Sequence, residues 1–298
     1  MRAPGSWTEK IIVNLVKLSG YSTIIFIVMI LIFLLRSGIA TLGEVPLGNL
    51  FSRTWYPIEE YYGVLPLIAG SIIVTLGATL IAVPIGVITA IFIAEIAPPW
   101  ARNTLKPLVE VLGGVPSVVL GFLGILFFSN FIRQALQLPT GLTALTGAIL
   151  LAFISIPPIV SISEDALDAV PRSYRDAALA LGATHWQTIW RVTLPAARSG
   201  VLTATMLGIG RTIGETMVVL MVTGNAPVMP TGLGALFSPV RTMTATIAAE
   251  MGEVASGSVH YHVLFFIGII LFVISLGINL TASAFIFRQR KRSERILS

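Results

Sequence analysis

The chain has 298 residues, 55% of them hydrophobic and only 11% charged, with a mean hydropathy of +0.90. A soluble domain carries about 25% charged residues, so this composition excludes a water-soluble globule and points to a chain that crosses a membrane repeatedly. The absence of cysteine excludes a disulfide framework or thiolate metal site. The net charge of +5 is spread among apolar runs without an aromatic and basic platform, which argues against a nucleic-acid partner.

Residues 1–19 place Trp7, Ile11, Ile12, Leu15 and Val16 at helical spacing with Lys10 and Lys17 between them, the pattern of an interfacial helix on the cytoplasmic face. Residues 20–63 hold a first span at 21–42 and an outer loop with Arg53, Trp55, Glu59 and Glu60. The small residues near Ala40 leave a cleaved signal peptide as the alternative reading of that first apolar run. Residues 64–287 form a core of five more spans. The second, 65–93, is bent at Pro84 and Gly86 and closed by Pro98-Pro99-Trp100. The third, 108–132, contains Glu110 and Gly113-Gly114-Val115-Pro116-Ser117. The fourth, 142–160, is expected to be interrupted at Ile156-Pro157-Pro158. The fifth and sixth fall at 200–224 and 263–287. Between them a Pro/Gly-rich outer segment, 225–261, carries a short re-entrant helix at 242–251. Residues 288–298 are a basic tail.

The interval 164–195 is the most polar stretch and reads as two helices meeting at a glycine. Pro171 suits a first turn, and Ser173 with Asp176 has the form of a capping box. The helix-forming run 176–181 stops at Gly182. Thr184 and Gln187 form a second box, opening a helix that ends near Leu194-Pro195. Such a hairpin between spans is suited to receiving a partner protein. Fourteen of the 19 lysines and arginines fall on the hairpin's side of this layout, four on the other, and Arg211 lies inside the fifth span. That asymmetry gives six spans with both termini in the cytoplasm.

Arg211 and Glu215 are four residues apart and would share a helix face. A charge in the bilayer is costly unless paired or lining a polar path. The functional reading turns Arg211 to a translocation path, where its planar donors suit a tetrahedral oxyanion. Glu215 holds it there, and Glu110 is a further partner. The plain alternative is an ion pair that only glues helices together. Gly210 and Gly214 permit close packing with a neighbouring helix. No Walker or Rossmann glycine pattern is present, and His185, His260 and His262 make no metal cluster. No catalytic residue, metal or cofactor is expected, and the chain alone should not hydrolyse ATP.

Asp176-Ala177-Ala178, followed by Gly182 and Leu194-Pro195, resembles the EAA loop of ABC importer permeases, with Asp in place of the usual Glu. The resemblance implies that Asp176, Ala177, Ala178 and Gly182 lie on a coupling helix that docks on a cytoplasmic ATPase, with His185 at the contact. The run 210–225, G-R-x-I-G-E-T-M-x-V-L-M-V-x-G-N, is similar to the PstC family of phosphate permeases. Ile93-Ala94-Glu95, Val115-Pro116-Ser117-Val118-Val119 and Thr244-Ala245-Thr246-Ile247-Ala248 extend the likeness. It implies an all-α, MetI-like type I importer permease in the bacterial plasma (inner) membrane. The implied partners are a PstA-like sister permease, two PstB-like ATPases, a PstS-like external binding protein, phosphate and the lipid bilayer. An ABC permease for sulfate, molybdate or phosphonate, or the sister family PstA, is the near alternative. An ion-coupled carrier acting alone, or an assembly factor, is the distant one, separated by whether an ATPase copurifies.

Overall fold

The computed structural model describes residues 7–297, with side chains described as far as Ala284 except those of Thr8, Leu233 and Ala282. The expected all-α membrane architecture is present: six helices among the described residues are long and apolar enough to cross a bilayer. Apolar segments fold as helices there because every backbone N–H and C=O must be satisfied within the segment.

The first helix, α1 (Trp7–Glu44), runs unbroken through the stretch read as a separate interfacial helix. Its 38 residues extend about 57 Å, well beyond one bilayer crossing. It packs on the last helix, α11 (Val259–Leu297), with Phe33 edge-on to Phe265 at 5.3 Å. The basic residues of the tail lie beyond the described side chains, although the helix itself continues to Leu297.

The core is built around α6 (Ala144–Asp168), flanked by α3 (Leu65–Ile96) and α8 (His185–Gly214). Ile159 on α6 is fully buried. A Cβ on Gly86 of α3 would come within 2.7 Å of it, and one on Gly208 of α8 within 2.5 Å. The three backbones close on this one side chain, so Gly208 does the packing that the sequence assigns to Gly210 and Gly214. An added Cβ on either of those two would meet no atom of another element within 4 Å among the described residues.

Two expected breaks are absent and two unexpected ones appear. The α6 helix passes straight through Pro157 and Pro158, because burial between its neighbours outweighs the two missing N–H bonds. Likewise α8 does not end at Pro195. A π-turn at Ile189–Thr193 absorbs the irregularity, and the hairpin's second helix flows directly into the fifth span. By contrast, the third crossing divides at Gly114–Pro116 into an amphipathic helix α4 (Pro99–Gly113) and a span α5 (Ser117–Ala135). The fifth divides after Gly214 into α8 and a short helix α9 (Met217–Val222).

The end opposite the hairpin is closed by a one-turn helix, α2 (Leu47–Leu50), by a small β-hairpin, β1 (Trp55–Tyr56) against β2 (Tyr61–Tyr62), and by α10 (Met243–Glu250). The expected short helix at 242–251 is thus present, with Thr242 as its cap accepting from Ala245 N. Leu50, Trp55, Val64 and Met243 are buried together with Val263 and Leu264 of α11 beneath this lid.

Candidate functional site: hairpin, helix breaks and the unpaired arginine

The hairpin follows its sequence signals closely. Helix α7 (Arg172–Ala180) ends with Gly182 at φ +84°, a left-handed turn that an L side chain adopts only under strain. Gly182 N bonds Leu179 O and Ala183 N bonds Ala178 O, so the terminal carbonyls are satisfied. At the next helix start, Gln187 N donates to Thr184 Oγ1 while Thr184 N donates to Gln187 Oε1, completing the expected box. The other box does not form: α7 starts at Arg172 after Pro171, and Ser173 caps nothing. Asp176, Ala177 and His185 are exposed, while Ala178 is turned inward. Leu181 is 89% exposed and Trp186 58%, with Tyr174 also outside. The hairpin therefore presents a mixed apolar and polar surface that its own chain does not cover.

Where the hairpin meets the spans, charges converge. Glu164 of α6 is 1% exposed and takes Arg102 at 2.7 Å and Lys106, both from α4. Arg102 also meets Asp168, and Lys106 meets Asp165 at 2.8 Å. These pairs fix α4 antiparallel to α6. Further along, a Cβ on Gly113 would lie 3.3 Å from Pro157, which puts the break at Gly114–Pro116 halfway along α6.

The second break lies at the same depth. Thr212 of α8 bonds Ser155 of α6 at 2.7 Å in a buried contact. One turn on, Glu215 is extended at φ −70°, ψ 131°. Its carboxylate accepts from Thr216 N and Met217 N at 3.2 Å each, and its carbonyl accepts from Thr244 Oγ1 at 3.0 Å. Glu215 thus holds the start of α9 and does not sit on a helix face with Arg211. The expected Arg211–Glu215 pair is not formed. Arg211 makes no ion pair among the described residues; Nη2 reaches only the Gly113 carbonyl, at 3.5 Å, where α4 ends. Glu110 sits on α4, one turn before the break in the third crossing. It is exposed and without a partner among the described residues. What the structure brings together is an exposed guanidinium and two interrupted helices, both broken halfway along α6, with Arg211 of one reaching the last carbonyl before the break in the other.

In the sequence, Arg102, Lys106 and Arg175 count only among the basic residues on the hairpin's side, and nothing singles out Glu164. The available signal is the balance of charges between 95–106 and 164–175, two stretches that bracket neighbouring spans.

At the opposite end, Glu250 gathers Arg241 at 2.7 Å, His260 Nε2 at 2.8 Å and Trp55 Nε1 at 3.2 Å. Burial pushes the Glu250 carboxyl up, but the His260 hydrogen bond, the Arg241 charge and the indole N–H outweigh it and hold it below the usual carboxylate range. A carboxyl depressed on folding stabilises above its unfolded value, about 4.3, and loses that contribution as pH falls through the folded value. The apparent melting midpoint in detergent should therefore drop as pH is lowered from 5 to 3. Glu250→Gln should lower the midpoint at pH 7 and flatten that drop; parallel profiles for the two proteins would remove Glu250 from the account.

Residues 82–293 match the family described as binding-protein-dependent transport system inner membrane component. The probable ABC transporter permease protein YqgH of Bacillus subtilis is 43% identical over 235 residues, covering 78% of this chain and 75% of its own length. The phosphate transport system permease protein PstC of Mesorhizobium japonicum is 36% identical over 258 residues, covering 80% of this chain and 78% of its own. A chain in the crystal structure of a bacterial alginate ABC transporter shares the fold, with a TM-score of 0.63 at 15% identity over 93% of this chain and 95% of that one. The family match begins inside α3 and runs past the charge cluster, the hairpin and both helix breaks. The chain belongs to the binding-protein-dependent inner membrane permeases of ABC transporters.

Proposed function

We infer that this chain is the PstC-type permease subunit of an ATP-driven importer of inorganic phosphate. The observation that carries the reading is Arg211, a guanidinium without a carboxylate partner among the described residues, beside two helix breaks, in a chain whose PstC relatives align over most of its length. An arginine paired to Glu215 would have its charge cancelled. One left facing only a carbonyl keeps its donors for two oxygens of an oxyanion.

The exposed hairpin is the contact for a cytoplasmic ATPase, and Asp176, Ala177, Ala178, Gly182 and His185 lie on it. Its second helix and Arg211 belong to the same continuous α8, 26 residues apart, or about 39 Å along the axis. A displacement imposed at the hairpin is thereby delivered near Arg211 without crossing a loop. The complete transporter consists of this chain, a PstA-like sister permease, two PstB-like ATPases and a PstS-like binding protein. The excess of basic residues on the hairpin side supports both termini in the cytoplasm.

The test is uptake into liposomes carrying the copurified complex, with binding protein outside and ATP inside or omitted. ATP-dependent uptake of labelled phosphate, with sulfate excluded, is expected. Sulfate preference would overturn the phosphate assignment, since Arg211 would grip either tetrahedral anion. Uptake without ATP would overturn the ABC mechanism.

A further inference from the structure

Arg175 is the point where the hairpin is fastened to the membrane-spanning body. Its side chain leaves α7 and is only 19% exposed. Nη2 donates to Glu95 Oε1 at 2.6 Å, and Nε lies 3.2 Å and 3.3 Å from the two carboxylate oxygens, a forked grip on the last turn of α3. The same guanidinium donates through Nη1 to Val170 O at 2.6 Å and through Nη2 to Leu167 O at 2.9 Å. Those carbonyls lie at and just past the C-terminus of α6, where helical acceptors run out of intrahelical partners and the dipole favours a cation. Glu95 is 5% exposed, so this is a buried, charge-assisted junction rather than a surface pair.

One side chain thus joins three elements: the hairpin helix, the end of the second span and the end of the fourth. The fourth in turn holds α4 through Glu164, and α4 ends at the Gly113 carbonyl beneath Arg211. The hairpin is also joined to the body by the chain at both of its ends and by Ile189 of α8, which is fully buried in one cluster with Ala90, Ile93, Val160 and Leu167.

We propose that Arg175 is the coupling residue of this permease: its fork on Glu95 and on the α6 terminus makes the hairpin, α3 and α6 move as one body, so that work done on the hairpin reaches the translocation path. This rests on the reading of the hairpin as the ATPase contact. Arg175 is a positioning residue that touches neither ATP nor phosphate. Without the fork, the ATPase still seats on Tyr174, Leu181 and Trp186 and still turns over, but the hairpin moves α8 without carrying α3 and α6, so the two sides of the path no longer move together.

The experiment compares the intact complex bearing wild-type chain, Arg175→Gln, Arg175→Lys or Glu95→Gln in liposomes, reading three quantities: ATPase copurified, ATP hydrolysed and phosphate taken up. For Arg175→Gln, wild-type ATPase stoichiometry and continued hydrolysis are expected, with uptake per ATP reduced at least tenfold. Lysine keeps one charge but loses the fork, so Arg175→Lys should recover part of the ratio. Glu95→Gln, which weakens only the α3 arm, should fall between wild type and Arg175→Gln. An unchanged uptake per ATP in Arg175→Gln overturns the proposal. So does loss of copurified ATPase in that variant alone, which would assign Arg175 to docking. If the Arg175→Gln chain itself is not recovered folded from the membrane, Glu95→Gln decides, and an unchanged ratio there overturns the proposal equally. Failure of the ATPase to copurify with the wild-type chain would instead overturn the docking reading on which the proposal stands.

Discussion

Arg211→Ala is expected to reduce phosphate uptake about 100-fold while leaving the complex assembled. A charge-assisted hydrogen bond contributes about 1.5–3 kcal/mol, and a two-pronged grip on an oxyanion therefore about 3 kcal/mol or more. At about 1.4 kcal/mol per factor of ten, that is two orders of magnitude. The same residue contributes little to the fold, being exposed and bonded only to the Gly113 carbonyl at 3.5 Å. Arg211→Lys retains the charge without the planar fork and should recover only part of the loss. Uptake and copurified ATPase, measured on the same preparation, check the expectation. Wild-type uptake in Arg211→Ala would remove Arg211 from the path, and loss of assembly would make it structural.

The second large effect concerns Glu164. Replacing both of its cations, Arg102→Met with Lys106→Met, leaves a 1%-exposed carboxylate with no counter-charge. Breaking a buried pair in this way costs about 3–5 kcal/mol. Glu164→Gln should cost clearly less, because Arg102 and Lys106 are about one-third exposed and keep Asp168 and Asp165. The order is the informative part. Adding Glu164→Gln to the double variant should restore much of the lost stability, since the uncompensated charge is then gone. Apparent melting midpoints in detergent for the four proteins test this. A triple variant less stable than the double would show that the burial of Glu164 is tolerated without its partners.

Much of this architecture is legible in the chain because the bilayer imposes simple rules. Apolar runs of bilayer length are read directly, and the hairpin's end signals at Gly182 and Thr184/Gln187 act within a few residues. The misjudged positions are those where tertiary packing decides. Pro157 and Pro158 look like a break, yet α6 is enclosed by α3 and α8 and stays helical. Glu215 looks like an i,i+4 partner of Arg211, yet the chain leaves the helix after Gly214 and the carboxylate turns to α9. Glycine and proline in an apolar stretch do not announce whether they will bend, break or merely allow a close approach. Gly208 and Gly210, two residues apart, take opposite roles because only one of them faces Ile159. The Arg175–Glu95 fork joins residues 80 positions apart, which no local pattern can pair.

The uncovered hairpin also bears on how the cell manages the protein. A chain synthesised in excess leaves Leu181 and Trp186 in water, on a short helical loop with exposed termini. Exposed apolar loops of this kind are what chaperones hold and proteases cut. If an ATPase covers the hairpin as proposed, an orphan subunit is marked for removal by the surface that assembly hides. Subunit stoichiometry can then be kept by selective turnover, without matched rates of synthesis.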